Sequence, residues 1–333
     1  MPDQAPVKML LDCDTGVDDT LAILYAALHP RVELVGVGAV WGNVDVDTAT
    51  RNSLHTVAMA GQPEVPVARG AAGPITARPA VFAPHVHGAD GQGDRGTGRP
   101  VQPAVEGTAA EQIIRIARAN PGEVELVAVG PLTNVELALA LCPELPALLR
   151  GVTIMGGAAL APGNVTEVAE ANIHNDPEAA AAVFAAGWPL TMVGLDVTMR
   201  TTLDGGQLDK LAEGGSLARY VAGIVELYAG FFAATSFGER RSCMHDLLAV
   251  AIAAGTLVPD LAPTVHARVD TGDGPGRGQT ICDLRGRYMG YPEQPGARCR
   301  VVLECDPAFG DQVVDLLVRA GDAAIDVTPA VTG

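Results

Sequence analysis

Met9-Leu10-Leu11-Asp12-Cys13-Asp14-Thr15-Gly16-Val17-Asp18-Asp19-Thr20-Leu21-Ala22-Ile23-Leu24-Tyr25-Ala26 runs from an apolar strand pattern through a carboxylate-rich loop into an amphipathic helix. Four aspartates gather where strand becomes helix. Two carboxylates roughly 5 Å apart repel by about 3 kcal/mol at an effective dielectric of about 20, so the cluster calls for a cation or for protonation. A bound divalent metal is the simpler answer. Asp18 and Asp19 alone would read as helix-start charges that cap amides and complement the helix dipole, contributing about 0.3–1 kcal/mol each. Asp12 and Asp14 change that reading. They stand at the carboxyl end of a strand, where open α/β sheets bind ligands, and the period-2 pleat directs both to one side.

Register separates this stretch from other aspartate-rich motifs. An EF-hand loop beginning at Asp12 would need Gly at its sixth position and Glu at its twelfth, where the chain has Val17 and Ile23. A phosphatase of the Asp-x-Asp type would want Thr or Val where Gly16 stands, and a downstream lysine. The only lysines, Lys8 and Lys210, are poorly placed for that.

The 333 residues are 48% hydrophobic, enough for a large core, and no linker, composition break or repeat divides them. Twenty-two basic against 39 acidic residues leave a formal charge of −17. That balance disfavours nucleic acid and acidic membrane surfaces and admits a neutral or cationic small ligand more easily. Cys13, Cys142, Cys243, Cys282, Cys299 and Cys305 form no Cys-x-x-Cys pair and read as buried free thiols of a cytoplasmic protein. The N-terminal apolar run is interrupted by Asp12 and does not read as a signal peptide. The run from Ala179 to Leu195 is broken by Gly187 and Pro189, so it reads as helix, turn and strand rather than a membrane span.

Further along, Arg31 to Val40 predicts a strand buried on both faces, ending at Trp41-Gly42-Asn43, with a helix from Val46 to Ala60 after it. Gly61 to Pro103 has little periodicity and is long for a connection, which suggests a functional loop centred on His85-Val86-His87-Gly88. The two histidines read equally as loop-surface residues or, for one of them, as a ligand contact. Gly91-Gln92-Gly93-Asp94-Arg95-Gly96 matches a dinucleotide fingerprint in letters only, since no strand precedes it and no helix opens after it.

Thr108-Ala109-Ala110-Glu111 is a capping box opening a helix to Ala119, and Glu123 to Val129 predicts the next buried strand. Gly151 to Met155 predicts another, ending in Gly156-Gly157. Asp176 caps a helix with Pro177 in its first position. Before that cap, Asn164, Glu170 and Asn172 are polar groups just past a strand end, suited to hydroxyls or to a solvated loop. Leu190 to Leu195 reads as a strand, Ser216 to Phe237 as one long helix, and Met244-His245-Asp246 opens an apolar helix. Phe231, Phe232 and Phe237 are expected to pack in the core rather than form a base-stacking wall. Strand-like runs at Thr264–Val269 and Arg298–Leu303 precede a last helix from Asp306 to Ala320. The whole chain, 1–333, is expected to form one α/β domain with an open, mostly parallel sheet flanked by helices.

With these residues assembled, the chain resembles the inosine-uridine nucleoside hydrolase family from Val7 to about Ala320. Asp12-x-Asp14-x-x-x-Asp18-Asp19 is the most specific element. Gly42-Asn43, His87-Gly88, Met155-Gly156-Gly157, Gly163-Asn164, Glu170-x-Asn172, Asp176-Pro177-Glu178 and His245-Asp246 follow in order.

The resemblance implies a Rossmann-like nucleoside hydrolase fold and Ca²⁺-dependent cleavage of the N-glycosidic bond of ribonucleosides, a step of purine and pyrimidine salvage. It also implies a homo-oligomer, dimer or tetramer. Carried over by position, Asp14, Asp19, Asp246 and the Val129 carbonyl would hold calcium. Asp18, Asn43, Asn164, Glu170 and Asn172 would bind ribose, Met155 would lie under the sugar, and His87 and His245 would border the base. Asp14 would serve as base and His245 as leaving-group acid. Asp246 beside His245 favours the imidazolium and a nearby calcium opposes it.

Carboxylates also suit a reaction that builds positive charge on the sugar. Three positions depart from the family pattern: Thr15 and Leu247 where proline is common, and Ala171 where an aromatic is frequent. Two competing readings remain: a non-catalytic calcium-dependent nucleoside-binding protein and, more remotely, the phosphatase.

Overall fold

The computed structural model describes residues 5–96 and 102–321. The opening stretch folds as its pattern dictates: β1 (Val7–Cys13) feeds α1 (Val17–Leu28) through a three-residue loop. Then come β2 (Val32–Ala39), α2 (Val46–Met59), β3 (Val67–Arg69), α3 (Pro84–His87), β4 (Val105–Thr108) and α4 (Ala109–Ala119). The middle of the chain holds β5 (Val124–Ala128), α5 (Thr133–Leu141), α6 (Leu145–Leu148), β6 (Gly151–Met155), α7 (Ala171–Asn175), α8 (Pro177–Ala185) and β7 (Leu190–Val193). Next are α9 (Leu195–Thr198), β8 (Thr202–Asp204), α10 (Gly205–Ala212), α11 (Ser216–Phe232), β9 (Arg241–Cys243) and α12 (His245–Ala253). The last elements are β10 (Thr264–Val265), β11 (Ala267–Val269), β12 (Thr280–Cys282), β13 (Cys299–Val302) and α13 (Phe309–Arg319).

Among the described residues the main sheet has the order β10-β13-β7-β6-β5-β1-β2-β3-β4, parallel throughout except for β10 on β13. The chain builds β2, β3 and β4 outward on one side of β1, then returns to lay β5 on its other side. The strand order therefore reverses at β1, and a crevice opens beyond the carboxyl ends of β1 and β5. Met9, Leu11 and Cys13 pack toward the face covered by α1, α11 and α12, while Leu10 packs toward the face covered by α4 and α5. Both faces are buried, which is why the strands read as nearly continuous apolar runs. The result is a mixed, mostly parallel α/β domain flanked by helices.

Four expectations are refined. Gly61 to Pro103 holds β3 and α3, elements too short to leave a periodic signal; of this stretch, residues 97–101 lie outside the described residues. Thr264–Val269 splits at His266, so that β10 joins the main sheet while β11 pairs with β12. The Leu190 strand stops at Val193, and Leu195 already begins α9. The long helix is α-helical only to Phe232, after which Ala233–Phe237 widens into a π-helical turn closed by Gly238 at φ 69°.

Taken with its π turn, Ser216–Phe237 is long and apolar enough to cross a membrane. Here Leu217, Val221, Ile224, Val225 and Tyr228 pack it into the domain core. All six cysteines are free; four are buried, and Cys282 and Cys305 are half-buried.

Candidate active site

The carboxylates come together because two helices start at the same place. Asp18 and Asp19 occupy the first turn of α1, Asp246 occupies the first turn of α12, and these two helices pack against each other. Their aligned N-terminal dipoles offset part of the charge. One carboxylate oxygen from each of Asp18, Asp19 and Asp246 lies within 4.8 Å of the others, all three buried. Among the described residues no lysine or arginine forms an ion pair with any of them.

Asp19 also ties the loop. Its Oδ2 accepts the Gly16 N–H at 2.8 Å and the Asn43 side-chain amide at 3.1 Å, and its Oδ1 accepts the Asp14 N–H at 3.1 Å. Asp14 turns away from the strand and accepts the Asn43 N–H on Oδ2 at 2.6 Å, while its Oδ1 is buried without a partner. A Cβ at Gly42 would sit 2.0 Å from Asp14 Oδ2, so only glycine lets β2's end pass this close. Thr15, in place of the frequent proline, bonds Ser53 Oγ at 2.6 Å and anchors the loop to α2.

Asp12 is separate from this group. Fully buried on β1, it accepts the Asn134 amide at 2.8 Å and braces the β1–α5 contact, so the two strand-end aspartates do not act as one pair.

Burial dominates the electrostatics. It raises the pKa of Asp14 and Asp246 well above the carboxylate range, with the negative charge of Asp19 adding to the rise in both and that of Asp18 ranking second for Asp246. Burial likewise raises Asp18 and takes Asp19 to about 7. Among the described residues Asp18 Oδ1 is, with Asp14 Oδ1 and with Asp12 Oδ2 beneath the site, a third buried aspartate oxygen without a hydrogen bond. Orphaned oxygens and an all-oxygen donor set fit a hard divalent cation, and this group can hold one.

Tyr228 and Thr198 are the residues that sequence reasoning missed. Tyr228, inside the apolar α11, donates its hydroxyl to Asp18 Oδ2 at 3.0 Å. The one available signal was that a tyrosine buried in a core helix needs a polar partner. Thr198, which ends α9, lies 2.7 Å from His245 Nδ1. His87 Nδ1 accepts the Val17 N–H at 3.2 Å and lies 3.7 Å from Asp18 Oδ1. Phe232 packs between Tyr228 and His245, with ring centroids 4.9 and 5.8 Å away, so it is core and also backs this histidine, while Phe231 and Phe237 are half-buried against it.

Both imidazoles lose basicity. Burial takes His87 to about 3 and His245 to about 4, outweighing the opposing charge of Asp18 on His245. The charge that favours the imidazolium comes from Asp18 rather than from the adjacent Asp246, and desolvation overrides it.

The third group of residues lies beyond β5 and β6. Glu170 caps α7, accepting the Asn172 N–H on Oε1 at 2.9 Å and the Gly157 and Ile173 N–H groups on Oε2 at 2.9 and 3.2 Å. Asn172 Nδ2 donates to the carbonyls of Val129 at 2.8 Å and Met155 at 3.2 Å and reaches Met155 Sδ at 3.4 Å. A carbonyl oxygen has two lone pairs, so this bond leaves one on Val129 free for a cation. Asn164 stands at the exposed rim, its Oδ1 accepting the Ala171 N–H at 3.0 Å. A separate cavity of about 550 Å³, lined among others by Asp196, Met199, Arg200 and Glu304, contains none of these residues.

Residues 9–310 match the family model described as inosine-uridine preferring nucleoside hydrolase. The chain is 35% identical over 289 residues, covering 86% of this chain and 90% of the relative, to the pyrimidine-specific ribonucleoside hydrolase RihB of Escherichia coli (strain K12 / DH10B). It is 38% identical over 240 residues, 72% of this chain and 71% of the relative, to uridine nucleosidase 1 of Arabidopsis thaliana. The solved structure of a purine-preferring ribonucleoside hydrolase from Gardnerella vaginalis superposes with a TM-score of 0.86 at 33% identity, covering 94% of this chain and 98% of that one.

Proposed function

Since this chain belongs to the inosine-uridine preferring nucleoside hydrolase family and is an N-glycosyl hydrolase, we propose that it cleaves ribonucleosides to free base and ribose with calcium as its metal. The observation that carries this reading is the cluster of Asp18, Asp19 and Asp246 within 4.8 Å, with unpartnered oxygens on Asp14 and Asp18 beside it. Asp19 and Asp246 of that cluster would hold the ion together with Asp14 and the Val129 carbonyl, which stand outside the cluster, leaving Asp18 to the sugar. When bound, it offsets the carboxylate charge and orients the attacking water.

The chain's own groups do the rest. Asp14 Oδ1, with no competing hydrogen bond, takes the proton of the water as its oxygen bonds to C1′. Positive charge developing on the ribose meets a site whose nearest charged groups are carboxylates, which stabilises the transition state more than the ground state. Asp18, Asn43, Asn164, Glu170 and Asn172 bind the sugar hydroxyls. The side-chain amide of Asn172 is spent on two carbonyls, which leaves its oxygen as the group to accept from a sugar hydroxyl. Met155 supplies the apolar floor, and His87 and His245 stand at the base, His245 as donor to the departing ring.

One panel tests the reading. The protein is incubated with inosine, uridine, cytidine and the matching nucleotides, and released ribose is compared with released phosphate. Ribose release that Asp14→Asn lowers by several orders of magnitude in kcat is the expected result. Phosphate release, or nucleoside binding without turnover, would replace this function with the phosphatase or the binding protein.

A further inference from the structure

Thr198 is fully buried, and its hydroxyl is placed unlike that of the neighbouring threonine. A helical threonine commonly donates to the carbonyl four residues back. Thr201 does this, bonding the Val197 carbonyl at 3.2 Å. For Thr198 the corresponding carbonyl, Gly194, accepts the N–H groups of Val197 and Thr198 instead, each at 3.2 Å. Among the described residues the Thr198 hydroxyl has one side-chain partner, His245 Nδ1 at 2.7 Å.

A hydroxyl always carries one proton, and a neutral imidazole has one donor and one acceptor nitrogen. If the hydroxyl donates to Nδ1, the hydroxyl proton and the Nδ1 lone pair are both satisfied. If Nδ1–H donates to the hydroxyl, the threonine proton is left buried without an acceptor. The first arrangement is the one the burial selects.

We infer that Thr198 is a positioning residue that fixes His245 as its Nε2–H tautomer, so that the ring presents a single N–H donor to the leaving base. The inference rests on the proposed nucleoside cleavage and adds to it the form in which His245 acts. His87 follows the same pattern independently, because the Val17 N–H that meets its Nδ1 can only donate. Neither Nε2 is hydrogen-bonded to a protein group among the described residues. In the reaction the C1′–N bond breaks with its electron pair passing to the base. The Nε2–H hydrogen bond steadies that charge at a ring nitrogen or carbonyl. The base then takes its proton from solvent, matching the proton that Asp14 removes from water.

Two measurements test this. In protein carrying ¹⁵N-histidine, the seven imidazoles give distinct nitrogen resonances, and His245→Gln assigns the one at issue. Wild type and Thr198→Ser are expected to show an acceptor-type Nδ1 and a protonated Nε2. Thr198→Val is expected to lose this single tautomer. In kinetics, Thr198→Val should lower kcat on inosine and uridine by roughly tenfold or more, short of the 10²–10⁴-fold typical of removing a proton-donating group. Thr198→Ser should restore it, and p-nitrophenyl riboside, whose leaving group needs no such donor, should be spared.

An Nδ1–H tautomer in the wild type, or equal losses on both substrate types, would overturn the inference. The wild-type spectrum decides the tautomer even where Thr198→Val does not fold. A wild-type protein that keeps the Nε2–H form yet releases no ribose would overturn the proposed reaction and, with it, the role of the donor.

Discussion

Asp12 shows how much of the site's chemistry is set by where a single side chain stops. Two residues before Asp14 and still on β1, it is sealed beneath the site, and burial raises its pKa to about 7 despite the Asn134 hydrogen bond. In the unfolded chain the value lies near 4, so between about pH 4 and 7 the folded protein binds the extra proton. Stability then falls as pH rises, because the contribution present below pH 4 is lost as the pH passes through the folded value. His87 and His245, lowered to about 3 and about 4, slope the opposite way across the range below their unfolded value near 6.5. Those slopes are common to wild type and Asp12→Asn, so the difference between the two proteins isolates Asp12. With saturating calcium in both samples, the Tm of Asp12→Asn should decline less between pH 5 and 8. Parallel Tm curves would mean that the Asp12 carboxyl titrates normally.

At the scale of elements, α11 works as more than a core helix. Its buried face ends in Tyr228 and Phe232, which reach Asp18, His87 and His245. Among the described residues the phenolic proton is the one hydrogen bond from a side chain that Asp18 receives, on Oδ2, while Oδ1 has none. Tyr228→Phe keeps the ring packing and removes that bond, so the carboxylate loses its orientation toward the sugar. An unmade bond to a buried group costs about 1–3 kcal/mol, which corresponds to a rise of roughly 5- to 150-fold in KM for nucleosides. Steady-state kinetics on wild type and Tyr228→Phe measure it. A KM unchanged within a factor of two would assign the hydroxyl to packing alone.

The whole molecule is arranged so that the site's repulsion is held by the fold. Parallel strands aim their carboxyl ends into one crevice, and the packed helices α1 and α12 bring Asp18 and Asp19 to Asp246, more than two hundred residues away in sequence. Such a cluster stores unfavourable charge that a bound cation relieves, and an ion that binds only the folded state stabilises it by about 2.7 kcal/mol at a hundredfold excess over Kd. Thermal unfolding in excess chelator should therefore show a Tm several degrees below that in millimolar calcium. Magnesium should restore less, since it favours a tighter octahedral shell and retains its waters. Identical melting in chelator and calcium would remove the metal from this account.

The linear sequence determined whatever depends on near neighbours. The β1–loop–α1 pattern, the capping box at Thr108, the Asp176-Pro177 helix start and the apolar strands all follow from side-chain period and local hydrogen bonding, which act within a few residues. The ordered motifs from Asp12 to Asp246 were enough to indicate the family, because each is a short local pattern. Tertiary structure alone decided the partners. Asp12 turned to Asn134 and away from Asp14, the carbonyl of Val129 met Asn172, Tyr228 found Asp18, and Thr198 found His245. Each of these joins groups that no periodicity relates, and the pKa of each buried group follows from its burial and those partners. Desolvation and hydrogen bonding act over a few ångströms of space, whatever the separation along the chain.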